Sequence, residues 1–492
     1  MPVRHLKLIL LVLLPIVGHT AQPNIVIILA DDLGWGDVGY HGSVISTPSI
    51  DALAGQGVVL ERYYAQPTCS PTRAALMTGQ SSLRNGVLQP IDKNMQGSLP
   101  LERSLLPQYF RAAGYQTWLV GKWHLGHAYR AQLPMSRGFD HAYGNLLGGV
   151  GYWDHVHGGG VDWHRNGEAQ IEDGYATHLL TEEALNLVRE REPDRPFLLY
   201  LSYTAPHLPN EAPPETVKRY ANIADGPRRV HAAMVDEMDR GIGQLVATLE
   251  DQGVRDNTLI WFMSDNGGLV KGAPAPALEW LLELLAELFD PPYPVAALEF
   301  VRSNAEEGGS DNGPYRMGKG SVYEGGVLVP SLINWPGKLP QSVLDNRVTV
   351  VDVLPTLLQA AGISAEKTIF DGAGQWLMIN GRDTVLAPDY VTRGYDGSEA
   401  YYRGDWKLVA SSGGDLELYD LAMDPTESND LAPQHPAKAS ELYALLQNHP
   451  RGGSVHSTSL LKILLDPDAF GGQIDREPWV ERVREGNPPV PE

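Results

Sequence analysis

The sequence predicts an α/β fold: a large mixed, mostly parallel sheet sandwiched by helices, followed by a smaller C-terminal antiparallel sheet plus helix. Four short apolar runs each end abruptly in polar residues, helix-like stretches lie between them, and from about residue 391 the pattern changes to short strand-like pieces. The 492 residues suffice for about two to three domains with a sizeable core.

The apolar runs are Asn24–Ala30, Thr117–Val120, Phe197–Leu201 and Thr258–Met263. Continuous apolar runs of this length read as strands buried on both faces, the condition of a parallel sheet covered by helices. Helices are expected over Ser104–Ala113, Thr177–Arg189 and Arg229–Glu250. Ala400–Tyr402, Trp406–Val409 and Glu417–Tyr419 read as strands of the C-terminal sheet, with a helix over Ala437–Gln447. The expected organisation is a signal peptide over 1–21, a main domain over 22–390 with an insert at about 269–315, and a C-terminal subdomain over 391–492.

At the start, Arg4 and Lys7 precede the apolar stretch Leu8–Val17, and Gly18–Ala21 are small residues near a cleavage point. The stretch is shorter than the roughly 20 residues that span a bilayer. An exported protein, periplasmic or extracellular, with no stable membrane anchor is therefore expected. The 38 Lys plus Arg against 60 Asp plus Glu give a formal charge of −22, which argues against nucleic acid as a partner. Cys69 is the only cysteine, so an internal disulfide and a Cys-ligated metal centre are excluded.

In open α/β sheets, ligands bind beyond the carboxyl ends of the strands. Here the four runs deliver Asp31-Asp32, then Gly121-Lys122-Trp123-His124, then Ser202 to His207, then Ser264-Asp265-Asn266. Any one cluster is as easily a solvated loop; four on one edge point to a single site. Cys69 lies in Thr68-Cys69-Ser70-Pro71-Thr72-Arg73, where Pro71 suits a first helical turn and places Cys69 just before a helix N-terminus that favours an anion. A lone Cys can equally be a small buried hydrophobe.

Cys69-x-Pro71-x-Arg73, followed by Ala74-x-x-x-Thr78-Gly79, resembles the signature of the type I, formylglycine-dependent sulfatases. The resemblance extends to Ala30-Asp31-Asp32-Leu33-Gly34-Trp35, Gly121-Lys122-Trp123-His124, Ser264-Asp265-Asn266-Gly267-Gly268 and Asp424-Pro425-Thr426-Glu427. Within the family the chain is most similar to the arylsulfatase B, or N-acetylgalactosamine-4-sulfatase, branch. The resemblance implies an alkaline-phosphatase-like fold and hydrolysis of sulfate esters, on a sulfated carbohydrate or an aryl sulfate. It also implies a formylglycine-generating or sulfatase-maturating enzyme as partner, which oxidises Cys69 to formylglycine (3-oxoalanine).

By the same resemblance, Asp31, Asp32, Asp265, Asn266 and the modified Cys69 hold Ca2+. An all-oxygen set suits such a hard cation. Arg73 would orient the nucleophile, with Lys122 and His124 close by. Asp265 would act as base, His207 and Lys319 would bind sulfate and protonate the leaving oxygen, and His124 would assist sulfate release. Lys122 joins His207 and Lys319 in binding substrate.

Ser310-Asp311-Asn312-Gly313 nearly repeats the second ligand motif, but only Asp265-Asn266 follows a strand-like run. Ala277–Phe289, in the insert, reads as a helix with Glu279, Glu283 and Glu287 on one stripe, expected to pack on the main domain. The Gly- and aromatic-rich Gly151–Gly167 suits either sugar stacking or a surface loop with a buried Trp. A phosphonate or phosphodiester hydrolase on the same scaffold and a non-catalytic sulfated-glycan binding protein are the alternatives. The intact Cys69 motif argues against the second.

Overall fold

The computed structural model describes residues 22–93, 95–271, 306–366, 369–382, 388–455 and 476–486. The expected signal peptide and the expected helix Ala277–Phe289 lie outside the described residues.

The main sheet has ten strands, in the order Ser342–Leu344, Val58–Leu60, Ser331–Asn334, Thr258–Ser264, Asn24–Ala30, Phe197–Ser202, Gln116–Gly121, His141–Gly144, His164–Arg165 and Glu168–Ala169. The five from Thr258–Ser264 to His141–Gly144 are mutually parallel; the pairings outside them are antiparallel except that of Ser342–Leu344 with Val58–Leu60, which is parallel. All four predicted strands are the central ones, each within a residue of its expected limits.

Side chains alternate across a strand. Ile25, Ile27 and Leu29 of Asn24–Ala30 therefore enter one core, with Ala74–Met77 and Leu354, whereas Val26, Ile28 and Ala30 enter the other, with Leu180, Met234 and Ile242. The first core is covered by helices Cys69–Thr78 and Val350–Ala360, the second by Ala176–Glu190 and Gly226–Asp251. This is the expected helix–sheet–helix sandwich.

The C-terminal sheet is antiparallel, in the order Tyr390–Arg393, Glu399–Arg403, Trp406–Ala410, Leu416–Asp420. Its first strand spans the expected 390/391 boundary. One face gives Tyr390, Tyr402, Val409 and Tyr419 to the main core; the other packs Tyr401, Leu408 and Leu418 on Leu442 and Leu446 of helix Pro436–Gln447. A buried charge cluster lies where the two parts meet. Lys407 Nζ is 2.9 Å from Glu324 Oε1 and 2.6 Å from Glu427 Oε1, and all three side chains are almost wholly excluded from solvent. Tyr64 and Tyr402 donate their hydroxyls to Glu324 (2.7 and 3.2 Å), and the Glu324 amide donates to Glu427 Oε2 (2.7 Å).

Candidate active site

Helix Cys69–Thr78 is buried along its whole length, with Cys69 as its first residue. Pro71 fits the opening turn, where no amide donor is needed. The acidic pairs meet because Asn24–Ala30 and Thr258–Ser264 are parallel neighbours, with Ala30 opposite Ser264. Asp31-Asp32 and Asp265-Asn266 thus leave the sheet side by side. On the other side, Phe197–Ser202 leads to His207 and Gln116–Gly121 to Lys122 and His124. These two strands run close: a Cβ at Gly121, whose φ is +112°, would lie 1.8 Å from the Ser202 carbonyl oxygen.

Arg73 is completely buried. It donates through Nε and Nη2 to Asp265 Oδ2 (3.2 and 2.8 Å), and through Nη1 to the Lys122 carbonyl (3.0 Å) and Ser202 Oγ (2.5 Å). Lys122 Nζ donates to Asp31 Oδ2 at 2.6 Å. Asp32 receives Asn266 Nδ2 on Oδ1 and Lys319 Nζ on Oδ2, both at 2.7 Å, and His207 Nε2 lies 3.7 Å from that second oxygen. The Asp32 amide donates to Asp265 Oδ1 (3.1 Å). Asp32 (φ 65°) and His124 (φ 58°) both occupy the left-handed region, conformations that non-glycine residues keep only when the surroundings impose them.

Ligand atoms of Asp31, Asp32, Cys69 and His207 lie within 4.8 Å of one another. Two buried acceptors here, Asp31 Oδ1 and Asn266 Oδ1, have no hydrogen-bond donor. Orphaned buried oxygens of a carboxylate and an amide are costly unless a cation meets them, and oxygen donors of these types are those of a hard divalent ion. The residues present therefore fit Ca2+. Asp265 and Asp32 differ from Asp31 in that both oxygens of each already accept hydrogen bonds, those of Asp265 from Arg73 and the Asp32 amide and those of Asp32 from Asn266 and Lys319.

Burial pushes the Cys69 thiol up to about 11, so an unmodified Cys69 is protonated at neutral pH and is a poor nucleophile. Burial and the neighbouring Asp31 push Asp265 up to about 6, against the pull of Arg73. Burial would raise Asp32 too, but Lys319 and His207 hold it below the usual carboxylate range. Burial and Lys319 lower His207 to about 3, and burial with Lys122 and Arg73 holds His124 well below an ordinary imidazole. Lys319 stays protonated because Asp32 outweighs its desolvation.

The second motif copy takes a different part. Asp311 is exposed, and its carbonyl accepts the Gly36 amide (2.8 Å). Asn312 clamps Gly268, accepting its amide on Oδ1 (2.8 Å) and donating Nδ2 to its carbonyl (3.0 Å). It braces the loop that carries Asp265 and Asn266.

The sulfatase family profile matches residues 23–363. The chain belongs to the sulfatase family. This sulfatase is 34% identical over 372 residues to arylsulfatase J of Mus musculus, a match covering 73% of this chain and 56% of that protein. It is 31% identical over 422 residues to N-acetylgalactosamine-6-sulfatase of Homo sapiens, covering 80% of this chain and 71% of that protein. Among solved structures, Ps i-CgsB in complex with k-i-k-neocarrahexaose superposes with a TM-score of 0.75 at 29% identity, covering 91% of this chain and 98% of that one. These relatives carry the sulfatase assignment without singling out the arylsulfatase B branch.

The structure brings together, at the carboxyl edge of the central strands, all ten residues singled out in the sequence: Asp31, Asp32, Cys69, Arg73, Lys122, His124, His207, Asp265, Asn266 and Lys319. Sequence reasoning did not single out Ser202 as a partner of Arg73 or Asn312 as a clamp. Ser202 opens the polar cluster that follows the run Phe197–Leu201, a signal that could have found it. In the Gly151–Gly167 loop, Trp163 is a core residue that donates to Tyr143 (3.0 Å) and Glu172 (2.8 Å), whereas Trp153 is 47% exposed.

Proposed function

We propose that this protein hydrolyses the sulfate esters of a sulfated carbohydrate, using formylglycine made from Cys69 and a Ca2+ ion held by Asp31, Asp32, Asn266, Asp265 and the modified side chain. One observation carries the reading: a sealed helix-start cysteine faces buried carboxylate and amide oxygens that lack donors, inside a ring of fixed cations. When bound, the metal supplies positive charge for the sulfate oxygens, and the formylglycine hydrate supplies the nucleophilic oxygen. Arg73 fixes the Asp265 carboxylate in the position of a proton acceptor for the nucleophile. Lys122 and Lys319 present ammonium groups to an anion entering between them.

His207 Nδ1 lies 2.7 Å from the Leu208 carbonyl, which only accepts, so Nδ1 carries the proton and Nε2 faces the pocket. A bound sulfate ester adds negative charge beside that ring and raises its proton affinity. Nε2 then holds the proton that the leaving oxygen receives.

Carbohydrate as substrate is supported by the N-acetylgalactosamine-6-sulfatase relatives, by the saccharide bound to Ps i-CgsB, and by the motif resemblance to N-acetylgalactosamine-4-sulfatase. Export is supported by the N-terminal sequence. Among the described residues no helix is long and apolar enough to cross a membrane.

The test is the mass of tryptic peptide 63–73 from natively expressed protein, together with sulfate release from 4-nitrophenyl sulfate and neocarrahexaose. Aldehyde at Cys69 with turnover supports the proposal; an intact thiol without turnover overturns it in favour of a binding protein, and faster cleavage of phosphonate esters favours the alternative hydrolase. Substituting His207→Ala is expected to slow hydrolysis of sugar sulfates by about 100- to 10,000-fold, and that of nitrophenyl sulfate at least tenfold less, because nitrophenolate leaves without a proton. Equal losses on both would remove the proton-donor role.

A further inference from the structure

Lys319 stands on a loop that cannot hold its own shape. Residues 316–323 contain neither helix nor strand, and Met317 (φ 66°) occupies the left-handed region, which a non-glycine residue keeps only when its surroundings impose it. The Gly325 amide donates to the Arg316 carbonyl (2.9 Å), which closes 316–325 into one excursion with Lys319 near its tip. On the side of the main sheet, the Lys319 amide donates to the Gly268 carbonyl (3.1 Å) and the Gly320 amide to the Pro67 carbonyl (2.8 Å). The ammonium group itself reaches Asp32 Oδ2 at 2.7 Å.

The remaining contacts come from the C-terminal sheet. Arg316 and Tyr323, three residues before and four after Lys319, meet across the neck of the loop, with the guanidinium carbon 3.7 Å from the centroid of the phenol ring, a cation–π contact. Glu417 and Tyr419, two apart on strand Leu416–Asp420, share one face of that strand. Together they take hold of both arms. The Tyr323 hydroxyl donates to Glu417 Oε2 (2.6 Å); Arg316 Nη1 donates to the Tyr419 hydroxyl (2.9 Å), which donates in turn to the same Glu417 oxygen (2.7 Å). Arg316 Nη1 is also 3.6 Å from that oxygen, so one carboxylate oxygen gathers the whole neck. At the tip, the Gly320 carbonyl accepts the amide of Tyr395, in the turn after Tyr390–Arg393 (2.8 Å).

We propose that Arg316, Tyr323 and Glu417 are positioning residues for sulfate-ester hydrolysis, a clamp through which the C-terminal sheet fixes the loop that presents Lys319 to the sulfate. The inference rests on the sulfatase reading and gives the C-terminal sheet a part in it. A lysine side chain is long and rich in rotamers, so ordering it on a fixed backbone costs less than ordering chain and backbone together. With the neck closed, only the side-chain torsions of Lys319 remain to be ordered when the anion arrives. With the neck open, the ammonium group drifts from the place where charge has to be met.

The experiment measures kcat/KM on 4-nitrophenyl sulfate for Arg316→Ala and Glu417→Ala, each alone and combined with Lys319→Ala, beside amide hydrogen exchange over residues 316–325. Each substitution alone is expected to lower kcat/KM about tenfold. In the Lys319→Ala background the further loss should be less than about twofold, because a group acting through the lysine then has nothing left to position. Exchange over 316–325 should quicken in both single variants while the central strands stay protected. Asp405→Asn serves as the control: it breaks an ion pair between the C-terminal sheet and Arg62 (2.9 Å), away from this loop, and should leave kcat/KM within about twofold of native. Equal losses with and without Lys319, a matching loss from Asp405→Asn, or unchanged exchange over the loop overturns the positioning role. Failure of the native protein to hydrolyse any sulfate ester would instead count against the sulfatase reading, and the exchange measurement would still decide whether the clamp holds the loop.

Discussion

Replacing Cys69 with Ala is expected to lower sulfate-ester turnover at least about 10,000-fold, the scale of removing a nucleophile, while leaving the fold in place. The side chain fills a small buried space at the first turn of Cys69–Thr78, and the polar contacts of Arg73, Lys122 and Lys319 go to other residues. Loss of the sulfur should therefore cost little stability. Cys69→Ser separates two origins of the defect: its hydroxyl restores bulk and polarity without giving an aldehyde, so it should be about as inactive as Cys69→Ala. Kinetics on both variants beside a thermal melt check this. Near-native turnover by either would sink the mechanism.

The second large effect is on stability. Lys407→Met removes the only cation in contact with Glu324 and Glu427 among the described residues and leaves two carboxylates buried together. Breaking a buried pair in this way costs about 3–5 kcal/mol, to be read from the urea midpoint. The triple variant Lys407→Met with Glu324→Gln and Glu427→Gln should recover part of that loss, since it buries no unpaired charge. A loss below about 1 kcal/mol in the single variant would show that the cluster is not held together as described. The activity of Lys407→Met should fall as well. Glu324 begins the Gly325-Gly326 turn, and the Gly326 carbonyl accepts the Gly267 amide (2.9 Å), beside Asn266.

These cases show which parts of the molecule can be read from sequence. A strand buried on both faces has to be apolar at every position, so Asn24–Ala30 and Thr258–Ser264 stand out, and the polar residues after them mark the site edge. Val58–Leu60, Ser342–Leu344 and His141–Gly144 are too short for any period to emerge. Lys407 was illegible for another reason. In Trp406-Lys407-Leu408-Val409 a lysine between apolar neighbours reads as an outward-facing position on a half-exposed strand, and only the packing of this sheet on the main core buries it. The roles of Asp31, Asp32 and Arg73 came from motif resemblance, and the strand order accounts for why those motifs converge.

The sheet order also sets a timetable. Asn24–Ala30 leads the described chain, yet its partners in the sheet are Phe197–Ser202 and Thr258–Ser264, and Asn266 lies 234 residues beyond the Asp32 it bonds. At a synthesis rate of about 5–20 residues per second, roughly 10–50 s separate the appearance of those two residues. Cys69 emerges early in that interval and becomes sealed only when the late strands arrive. The same strand order that buries the cysteine so completely in the finished protein holds a window open while the chain is being made.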